Sequence, residues 1–363
     1  LSAAWEGFPS RQLVVIGITG TDGKTSTANI LFSILRAAGL RAGLLSTIRA
    51  VIGDEEEPLA LHVTTPEAPV VQRYLRRMVD AGLSHVIVEA TSHALAQSRV
   101  AAVAFDVAVV TNITHEHLDY HGSYDAYFAA KRRLFTSLLD DPLRVPPASP
   151  LKAATRPTAI LNRDDYSFAP LAAFLAGRPV DGPPLDVRTY GLRPGGDTLG
   201  EAAPDATAGN VAYGPDTTRL TLRLAGHPPL PVASALVGEF NVYNMLAAGA
   251  TAAALGIDAA GIRAGLEAVR GLSGRMERID RGQPFLVVVD FAHTPNALAR
   301  AIAAARGMIG EQGNKPPRPA GEGWGEGRPS SRPMREERGS GGAGETESLA
   351  VAGSFTPAPL LPS

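Results

Sequence analysis

The chain has 363 residues, of which 45% are hydrophobic and 19% are charged, so it can bury the core of a globular protein with room for two domains. A net charge of −2 and a pI near 6.5 give no electrostatic reason to expect nucleic acid or an anionic membrane as a partner. The absence of cysteine excludes disulfides and thiolate metal sites, and no apolar run approaches the ~20 residues of a membrane span. We therefore expect a cytoplasmic protein.

The first predicted elements surround a glycine-rich loop. An apolar run at Val14–Ile18 precedes the loop, and a helical pattern follows it up to Gly39. A strand–loop–helix unit of this kind binds phosphate, because the loop amides and the helix start point at the phosphate oxygens. Lys24 adds a positive charge, and the Thr25 hydroxyl can bind Mg²⁺. The commonest form of the motif needs glycine at position 18, so a glycine-rich turn with a stray lysine is the alternative.

The region from residue 42 to residue 111 predicts strands that alternate with helices. Ala42–Ile52 has the pattern of one strand, and the acidic residues 54–57 have that of a solvated turn. A hydroxyl pair, a proline and an acid at residues 64–67 predict a helix start after a short strand at Leu59–Val63. Two further buried strands are predicted at Ser84–Glu89 and Val103–Thr111.

Polar residues gather where three of the predicted strands end. They are the glycine-rich loop, Glu89, and a cluster from Thr111 to Gly122 that contains three histidines. In an open parallel sheet this edge binds ligands. A carboxylate and an imidazole there can hold Mg²⁺ between a nucleotide and a second, anionic substrate. An ordinary strand-end acid is the alternative for Glu89.

The histidine cluster also allows a different interpretation. His115, His117, Asp119 and His121 resemble the H-x-H-x-D-H zinc motif of metallo-β-lactamase-like hydrolases. Here Tyr120 is inserted before the last histidine, which moves that histidine off the expected face. A phosphate-binding loop also has no role in that chemistry, so the hydrolase is the weaker interpretation.

The second half of the chain predicts a mixture of elements. A helix at Tyr124–Leu139 precedes a strand at Thr158–Leu161 and a helix at Tyr166–Ala176. An antiparallel section is predicted from short alternating strands at Asp186–Tyr190, Asn210–Tyr213, Arg219–Leu224 and Leu230–Ala235. Two helices follow up to Val269, and the last predicted elements are a strand at Phe285–Val289 and a helix to about Met308. Residues 311–363 have no periodicity and little to bury, which predicts disorder.

Several polar residues in this half allow two interpretations each. Lys131 begins a Lys-Arg-Arg run, which is normally a solvated basic face. Asn241 and Asn244 have helix-start spacing, and capping explains one of them. Arg275 lies in a glycine loop and could clamp a phosphate or lie on the surface. The residues for which a site role is favoured, because they follow a buried strand, are Asp290 and His293.

Motifs of one family occur in order between about Leu13 and Ala305: T-G-T-D-G-K-T-S, T-T-P-E, E-A-T-S-H-A-L-x-Q-x-R-V, H-L-D-Y-H-G, Y-x-x-x-K-x-x-L-F, G-x-F-N-x-x-N-x-L-A-A, G-R-M-E and D-F-A-H-T-P. Together they resemble the Mur ligases, and most closely those that add the third residue to UDP-N-acetylmuramoyl-L-alanyl-D-glutamate. The resemblance implies an α/β, P-loop-type, mostly parallel sheet flanked by helices, with a short antiparallel section.

The resemblance also implies a set of site residues. The ATP-binding residues would be Gly20, Thr21, Asp22, Gly23, Lys24, Thr25, Ser26, Asn241, Arg275, Asp290 and His293. The residues that contact the UDP-muramoyl-dipeptide would be Thr64, Thr65, Thr91, Gln97 and Arg99. The metal ligands would be Thr25, Glu89, His117 and Lys131, the last as a carbamate formed with CO₂. The catalytic residues would be Lys24, Lys131 and His117.

The implied cofactors are ATP and Mg²⁺, and the implied reaction has two steps. The D-glutamate side-chain carboxylate attacks the γ-phosphorus of ATP, while Mg²⁺ and Lys24 offset the repulsion between the two anions. The amine of the incoming amino acid then attacks the acyl-phosphate and releases phosphate. The partners would therefore be small molecules, and we expect a monomer.

This sequence departs from the family pattern in three respects. Thr91 stands where the family usually has serine, and Asp22 stands where it usually has asparagine. The third domain is matched only by its first strand and helix, without the D-N-P-R motif that selects the amino acid, so the third amino acid is not identified. We expect a chain truncated at both ends. Residues 1–12 would be a remnant of the UDP-binding domain and residues 13–278 the central ATP-binding domain. Residues 279–310 would be the start of the C-terminal ligase domain, and residues 311–363 a disordered tail.

Two alternative functions stay open. Another amide ligase such as folylpolyglutamate synthetase would share the general pattern, but the T-T-P-E and Q-x-R pieces argue against it. A nucleotide-binding remnant without ligase turnover is the second alternative, because the amino-acid domain is not matched.

Overall fold

The computed structural model describes residues 1–59, 65–114, 116–139, 148–178, 184–192, 203–283, 285–309 and 350–352. Within these residues the chain forms an eleven-stranded sheet flanked by helices and a separate three-stranded sheet. None of the described helices is long and apolar enough to cross a membrane.

The strands of the large sheet are β1 Val14–Thr19, β2 Ala42–Leu45, β3 Arg49–Ile52, β4 Glu55–Pro58, β5 His85–Glu89, β6 Val107–Val110, β7 Thr158–Asn162, β8 Asp186–Tyr190, β9 Ala206–Tyr213, β10 Thr218–Leu224 and β11 Leu230–Ser234. The strands of the small sheet are β12 Glu277–Ile279, β13 Val287–Val289 and β14 Ala350–Ala352. The helices are α1 Ser2–Trp5, α2 Lys24–Ala37, α3 Ala68–Asp80, α4 Ser92–Ala96, α5 Leu118–His121, α6 Tyr124–Leu139, α7 Pro150–Ala154, α8 Phe168–Ala176, α9 Glu239–Ala254, α10 Ala259–Ala268 and α11 Pro295–Met308.

Strand β1 lies inside the large sheet, between β5 and β6. The order across the sheet is β11-β10-β9-β8-β7-β6-β1-β5-β2-β3-β4. The seven neighbouring strands β9-β8-β7-β6-β1-β5-β2 pair in parallel. Because the chain crosses from one side of β1 to the other after β5, the carboxyl ends of these strands open a crevice at the switch point. The predicted antiparallel section is confirmed for β9–β11. It is wrong for Asp186–Tyr190, because a helix, α8, connects β7 to this strand, and β8 pairs in parallel with both β7 and β9.

The sequence of β1 explains its central place. All six of its residues are buried, as a continuous apolar run must be when helices cover both faces of a parallel sheet. One core lies between the sheet and the helices α2, α9 and α10, and the other lies between the sheet and α3, α6 and α8. A third, smaller core joins β13 to α11.

The amino edge of the sheet contains a buried ion pair. Lys152 in α7 lies 2.5 Å from Asp106 Oδ2, and both side chains are almost fully buried. The same ammonium donates to the carbonyls of Leu13 and Ala104, and Asp106 also accepts the Val15 amide. These bonds tie the starts of β1 and β6 to α7, far along the strands from the crevice.

Two predictions for the end of the sheet formed by β2, β3 and β4 are wrong. The chain from Ala42 to Ile52 forms two antiparallel strands instead of one, because Ser46 bonds to the carbonyl of Arg49 and closes a turn between them. The predicted acidic turn is the edge strand β4, paired with β3. Its charges are offset by neighbours, since Glu56 pairs with Arg49, and charged side chains are common on edge strands.

Other predictions differ at their boundaries or lie outside the described residues. Most of the strand predicted at Leu59–Val63 and the candidate ligand Thr64 lie outside them, as does His115. In the tail predicted to be disordered, the structure describes the apolar segment Ala350–Ala352, which pairs in parallel with β13. The rest of residues 311–363 lies outside the described part of the chain.

Candidate active site

The loop between β1 and α2 fits its surroundings only through its glycines. A Cβ atom at Gly20 would lie 1.8 Å from Thr111 Oγ1, and one at Gly23 would lie 2.4 Å from Asn244 Oδ1. Gly23 also has a φ of +81°, which side-chain-bearing residues rarely adopt. The loop is therefore wedged between the end of β6 and helix α9.

Hydrogen bonds from the loop after β6 fix this conformation. The Thr21 amide donates to the Asn112 carbonyl over 2.7 Å, and the Asp22 amide donates to Asn112 Oδ1 over 3.0 Å. Thr111 Oγ1 donates to the Asp22 carbonyl over 2.6 Å. The Thr21 hydroxyl accepts the Thr114 amide over 2.9 Å. The predicted phosphate loop is thus a rigid, preorganised turn at the carboxyl edge of the sheet.

Lys24 begins α2 and folds back over the loop. Its Nζ donates to the carbonyls of Gly20 and Thr21 over 3.0 and 2.7 Å. Burial lowers the pKa of the Lys24 ammonium, and the nearby carboxylates, first that of Glu89, oppose this shift. A phosphate oxygen at this point would replace neutral carbonyls by an anionic partner, which makes a stronger, charge-assisted hydrogen bond.

Glu89, at the end of β5, offers oxygen ligands to a metal. Its Oε2 accepts hydrogen bonds from Thr47 and Thr25, at 2.7 and 3.2 Å, whereas its Oε1 is buried without a hydrogen-bond partner. Burial raises the pKa of Glu89, so its anionic form needs a counter-charge. A Mg²⁺ ion fits this donor set, because it prefers carboxylate and hydroxyl oxygens. Sequence reasoning missed Thr47, which no local pattern marks.

Lys131, in α6, is 1% exposed. Its Nζ donates to the Gly20 carbonyl over 2.6 Å and lies 4.6 Å from the centre of the Tyr127 ring. Burial, and next the charge of Lys24, hold the pKa of the Lys131 amine well below its usual range. The alternative of a solvated basic face is wrong here, because Tyr127, Lys131 and Leu134 share the buried side of the helix. A neutral amine is nucleophilic, and this is the form that reacts with CO₂ to give a carbamate.

The segment after β6 brings Glu116 and His117 to the same edge. His117 Nε2 lies 3.7 Å from one carboxylate oxygen of Glu116, and the other oxygen lies 3.3 Å from His293 Nε2. His117 has a φ of +54°, a costly conformation that is often found at functional sites. Glu116 was not predicted as a site residue, although it stands inside the histidine cluster. It links the loop after β6 to the start of α11.

Four of the five predicted substrate ligands are described, and three of them form one network beside Glu89. Thr65 Oγ1 donates to the Glu89 carbonyl over 2.9 Å and lies 3.3 Å from Thr91 Oγ1. Arg99 donates to the Thr65 carbonyl over 2.8 Å. Gln97 instead donates to the Tyr120 hydroxyl over 3.0 Å. Thr91 also caps α4 by accepting the Ala94 amide, a role that serine and threonine share.

The predicted nucleotide residues of the chain's second half form the other wall. Asn244 Oδ1 accepts from Thr27 of α2 over 3.3 Å, and its amide donates to Asn241 Oδ1 over 3.1 Å. Capping therefore does not explain the pair. Arg275 approaches Thr25 Oγ1 at 3.5 Å and lies over the Phe291 ring. The last two predicted residues, Asp290 and His293, lie at the same wall, where Asp290 accepts the amides of Met276 and Ala292.

A cleft of about 780 Å³ joins the two walls. Its lining includes the phosphate loop, Thr91, His117 and Lys131 on one side, and Asn244, Arg275, Asp290 and His293 on the other. Within the described part of the chain, no group of three or more His, Asp or Glu side chains could hold a metal ion. The metallo-hydrolase interpretation therefore has no support in the described residues.

Comparison with known protein families matches residues 18–252 to the Mur ligase middle domain. The chain belongs to the Mur ligase family. Its Mur ligase relatives include a UDP-N-acetylmuramyl-tripeptide synthetase of Roseiflexus sp. (strain RS-1), 41% identical over 311 residues, which are 84% of this chain and 57% of that protein. A UDP-N-acetylmuramoyl-L-alanyl-D-glutamate–2,6-diaminopimelate ligase of Geobacillus kaustophilus (strain HTA426) is 39% identical over 306 residues, with coverages of 84% and 57%.

A solved structure gives the same result for the Mur ligase fold. The structure of a UDP-N-acetylmuramoyl-L-alanyl-D-glutamate–2,6-diaminopimelate ligase matches with a TM-score of 0.66 and 25% identity, over 84% of this chain and 57% of that one. The predicted fold class and family are therefore confirmed. The chain spans little more than half the length of these relatives.

Proposed function

We propose that this chain is the ATP-binding part of a cytoplasmic ligase that adds the third amino acid to UDP-N-acetylmuramoyl-L-alanyl-D-glutamate in peptidoglycan synthesis. The observation that carries the proposal is the convergence of three groups in one cleft: the phosphate loop, Glu89 with its unpartnered oxygen, and the buried amine of Lys131. A nucleotide-binding domain alone would need only the first of them.

In this proposal the phosphate loop binds the ATP phosphates. The amides of residues 20–26 and Lys24 face the phosphate oxygens, and Arg275 beside Thr25 adds a second cation. Asn244, Asp290 and His293 line the cleft wall toward the nucleoside, and Asn241 supports this wall by accepting the Asn244 side-chain amide. The γ-phosphoryl group then points toward Lys131 and His117.

A metal ion would be held by Thr25, Glu89 and His117, and by Lys131 once this residue carries a carbamate. Bound there, Mg²⁺ would neutralise phosphate charge and so let two anions approach each other. The lowered pKa of the Lys131 amine favours this modification, because it increases the neutral fraction and the ammonium form has no lone pair for CO₂.

The UDP-muramoyl-dipeptide would lie along Thr64, Thr65, Thr91, Gln97 and Arg99. The hydrogen bond from Thr65 to the Glu89 carbonyl supports a substrate site next to the proposed metal ligands. A carboxylate oxygen of the D-glutamate attacks the γ-phosphorus, and the bond to ADP breaks. The amino acid's amine then attacks the acyl carbon, loses a proton and displaces phosphate, so that one amide bond forms for each ATP cleaved.

We assign residues 13–278 to the central domain and residues 279–310 to the start of a C-terminal ligase domain. The separate small core between β13 and α11 supports this division. Residues 1–12 fit a linker from a UDP-binding domain. The third amino acid is left open in this proposal, as diaminopimelate, lysine or another, and we expect a monomer.

The test is phosphate release from ATP by the purified chain, measured with and without UDP-N-acetylmuramoyl-L-alanyl-D-glutamate and with a panel of amino acids. Release that needs both substrates, with formation of the tripeptide, is expected of the ligase. Release with a folate substrate instead would favour a folylpolyglutamate-type ligase. ATP binding without any turnover would favour the nucleotide-binding remnant, and the Lys24→Ala variant is the control for contaminating ATPases.

A further inference from the structure

The loop after β7, residues Asn162–Ser167, packs against the loop after β6. This second loop, described at residues 111–114 and 116–117, holds the phosphate loop at one end and carries Glu116 and His117 at the other. The loop after β7 has no assigned role in the proposed reaction. It contacts the backbone of the loop after β6, which does have a role in that reaction.

The first anchor is at the end of β6. Asn162 donates from Nδ2 to the Thr111 carbonyl over 2.7 Å, and the buried Tyr190 hydroxyl donates to the carbonyls of Val110 and Thr111 over 2.9 and 3.2 Å. These bonds fix the point at which the chain leaves the strand. They do not by themselves fix the direction of the residues that follow.

Asp165 holds Ile113, two residues beyond Thr111. Its Oδ1 accepts the Ile113 amide over 3.0 Å, and the same oxygen accepts the Ser167 amide over 3.0 Å and the Ser167 hydroxyl. Three donors on one oxygen orient the carboxylate firmly. On the other side of Ile113, the Tyr124 hydroxyl donates to its carbonyl over 3.1 Å. Ile113 is therefore clamped at both its amide and its carbonyl, three residues before Glu116.

The neighbouring Asp164 makes different contacts. Its Oδ2 accepts the Tyr243 hydroxyl over 2.8 Å and the Leu192 amide over 2.7 Å, which ties the loop to α9 and to the end of β8. The Asp165 carboxylate bonds directly to the loop that carries Glu116 and His117.

We propose that Asp165 is a positioning residue: by accepting the Ile113 amide it holds the chain just ahead of Glu116 and His117, and so keeps His117 directed at the metal and the γ-phosphate. This inference rests on the proposed function, because that function makes His117 a metal ligand. Asp165 also lines the cleft, and the role proposed for it is carried by its hydrogen bond to the Ile113 amide.

The test compares binding of a fluorescent ATP analogue with Mg²⁺ and with EDTA, in the full chain and in variants. In Asp165→Ala, affinity with Mg²⁺ falls about tenfold, since an oriented hydrogen bond to a charged group is lost, whereas affinity in EDTA stays within about twofold of the parent. Asp165→Asn keeps an oxygen for the Ile113 amide and restores most of the Mg²⁺-dependent affinity. The matched control is Asp205→Ala, because Asp205 accepts the Thr189 amide over 2.8 Å in the same way but away from the cleft.

Three results would overturn the inference: unchanged affinity of Asp165→Ala with Mg²⁺, equal losses with Mg²⁺ and with EDTA, or the same pattern in Asp205→Ala. If Asp165→Ala does not fold, Tyr124→Phe removes the other clamp on Ile113, and its affinity is expected to fall about threefold with Mg²⁺ only. No such fall would contradict the inference. A parent chain that binds no Mg²⁺–ATP would instead contradict the proposed function, so the two failures are distinguishable.

Discussion

Two buried lysines lie at opposite edges of the same sheet, and their surroundings differ. Lys152, 2% exposed at the amino edge, is paired with the Asp106 carboxylate and donates to two carbonyls. Lys131, 1% exposed at the carboxyl edge, donates to the Gly20 carbonyl and lies over an aromatic ring. Among the described residues no carboxylate forms an ion pair with Lys131.

The difference shows how the fold separates stability from chemistry. Burying an ammonium ion costs free energy, which a carboxylate with further hydrogen bonds can offset, as at Lys152. At Lys131 the cost is met by a lowered pKa, so the amine is held closer to its neutral and reactive form. A buried lysine that forms no ion pair within the described residues, beside the predicted phosphate loop, is therefore a candidate for chemistry.

The largest effect is expected when the amino-edge pair is broken. Lys152→Met should lower the free energy of unfolding by ~3–5 kcal/mol, because it leaves the Asp106 carboxylate buried without its cation. Urea denaturation measures the change. The control is Arg156→Ala, which removes an exposed pair with Asp186 and should cost less than ~1 kcal/mol. Equal, small losses in both variants would contradict the assigned role of the buried pair.

The second prediction concerns pH at the same edge. His85 starts β5, and burial lowers its pKa from 6.5 to about 4. Because the unfolded chain takes up this proton more readily, stability is fully present above pH 6.5 and is lost as the pH falls toward about 4. The loss is on the order of 2–4 kcal/mol, at 1.36 kcal/mol for each pKa unit.

Urea denaturation across this pH range compares the parent with His85→Gln, which has no proton to gain there. In the variant, the free energy of unfolding should depend less steeply on pH, because the contribution of His85 is absent. A parent and a variant with the same pH dependence would show that His85 is not the group responsible. Glu89, at the other end of β5, is unchanged in both proteins, so the comparison isolates the amino edge.

The third prediction moves to the carboxyl edge. Lys24→Ala should weaken ATP binding about a hundredfold, or ~2.7 kcal/mol, because a charge-assisted contact with the phosphates is lost. Isothermal titration with Mg²⁺–ATP measures it. Lys152→Met, assayed where it is folded, should bind ATP like the parent. If Lys24→Ala binds ATP as tightly as the parent, the ligase assignment fails.

The parallel core and its ligand edge were predictable, because the strands that form them are continuous apolar runs that end in polar residues. Val14–Thr19, His85–Glu89 and Val107–Val110 pair side by side, which brings the phosphate loop to Glu89. The burial of Lys131 could also have been inferred, since Tyr127 and Leu134 flank it at helical spacing. The adjacent arginines instead favoured a solvated face.

Long-range polar contacts could not be predicted in this way. Asp165 bonds to an amide 52 residues away, and Lys152 to a carboxylate 46 residues away. Neither contact leaves a periodic or local signal in the sequence. The prediction of a turn at residues 54–57 failed for a related reason. The charges of the edge strand Glu55–Pro58 are compatible with a strand because Arg49 and Arg77 pair with them, and these pairs leave no local signal.

The smallest expected effect sharpens the comparison most, because the substitution at Lys152 is repeated at Lys131. Lys131→Met should leave the free energy of unfolding unchanged or raise it by ~1–2 kcal/mol, since a buried amine whose burial costs free energy is replaced by an apolar side chain of similar length. The same variant should lose substrate-dependent phosphate release and any carbamate signal in ¹³C-bicarbonate-labelled protein. If Lys131→Met were as destabilising as Lys152→Met and still active, the two lysines would both be structural. If Lys152→Met lowers the free energy of unfolding and Lys131→Met raises it, the carboxyl edge is the place where this fold gives up stability for reactivity.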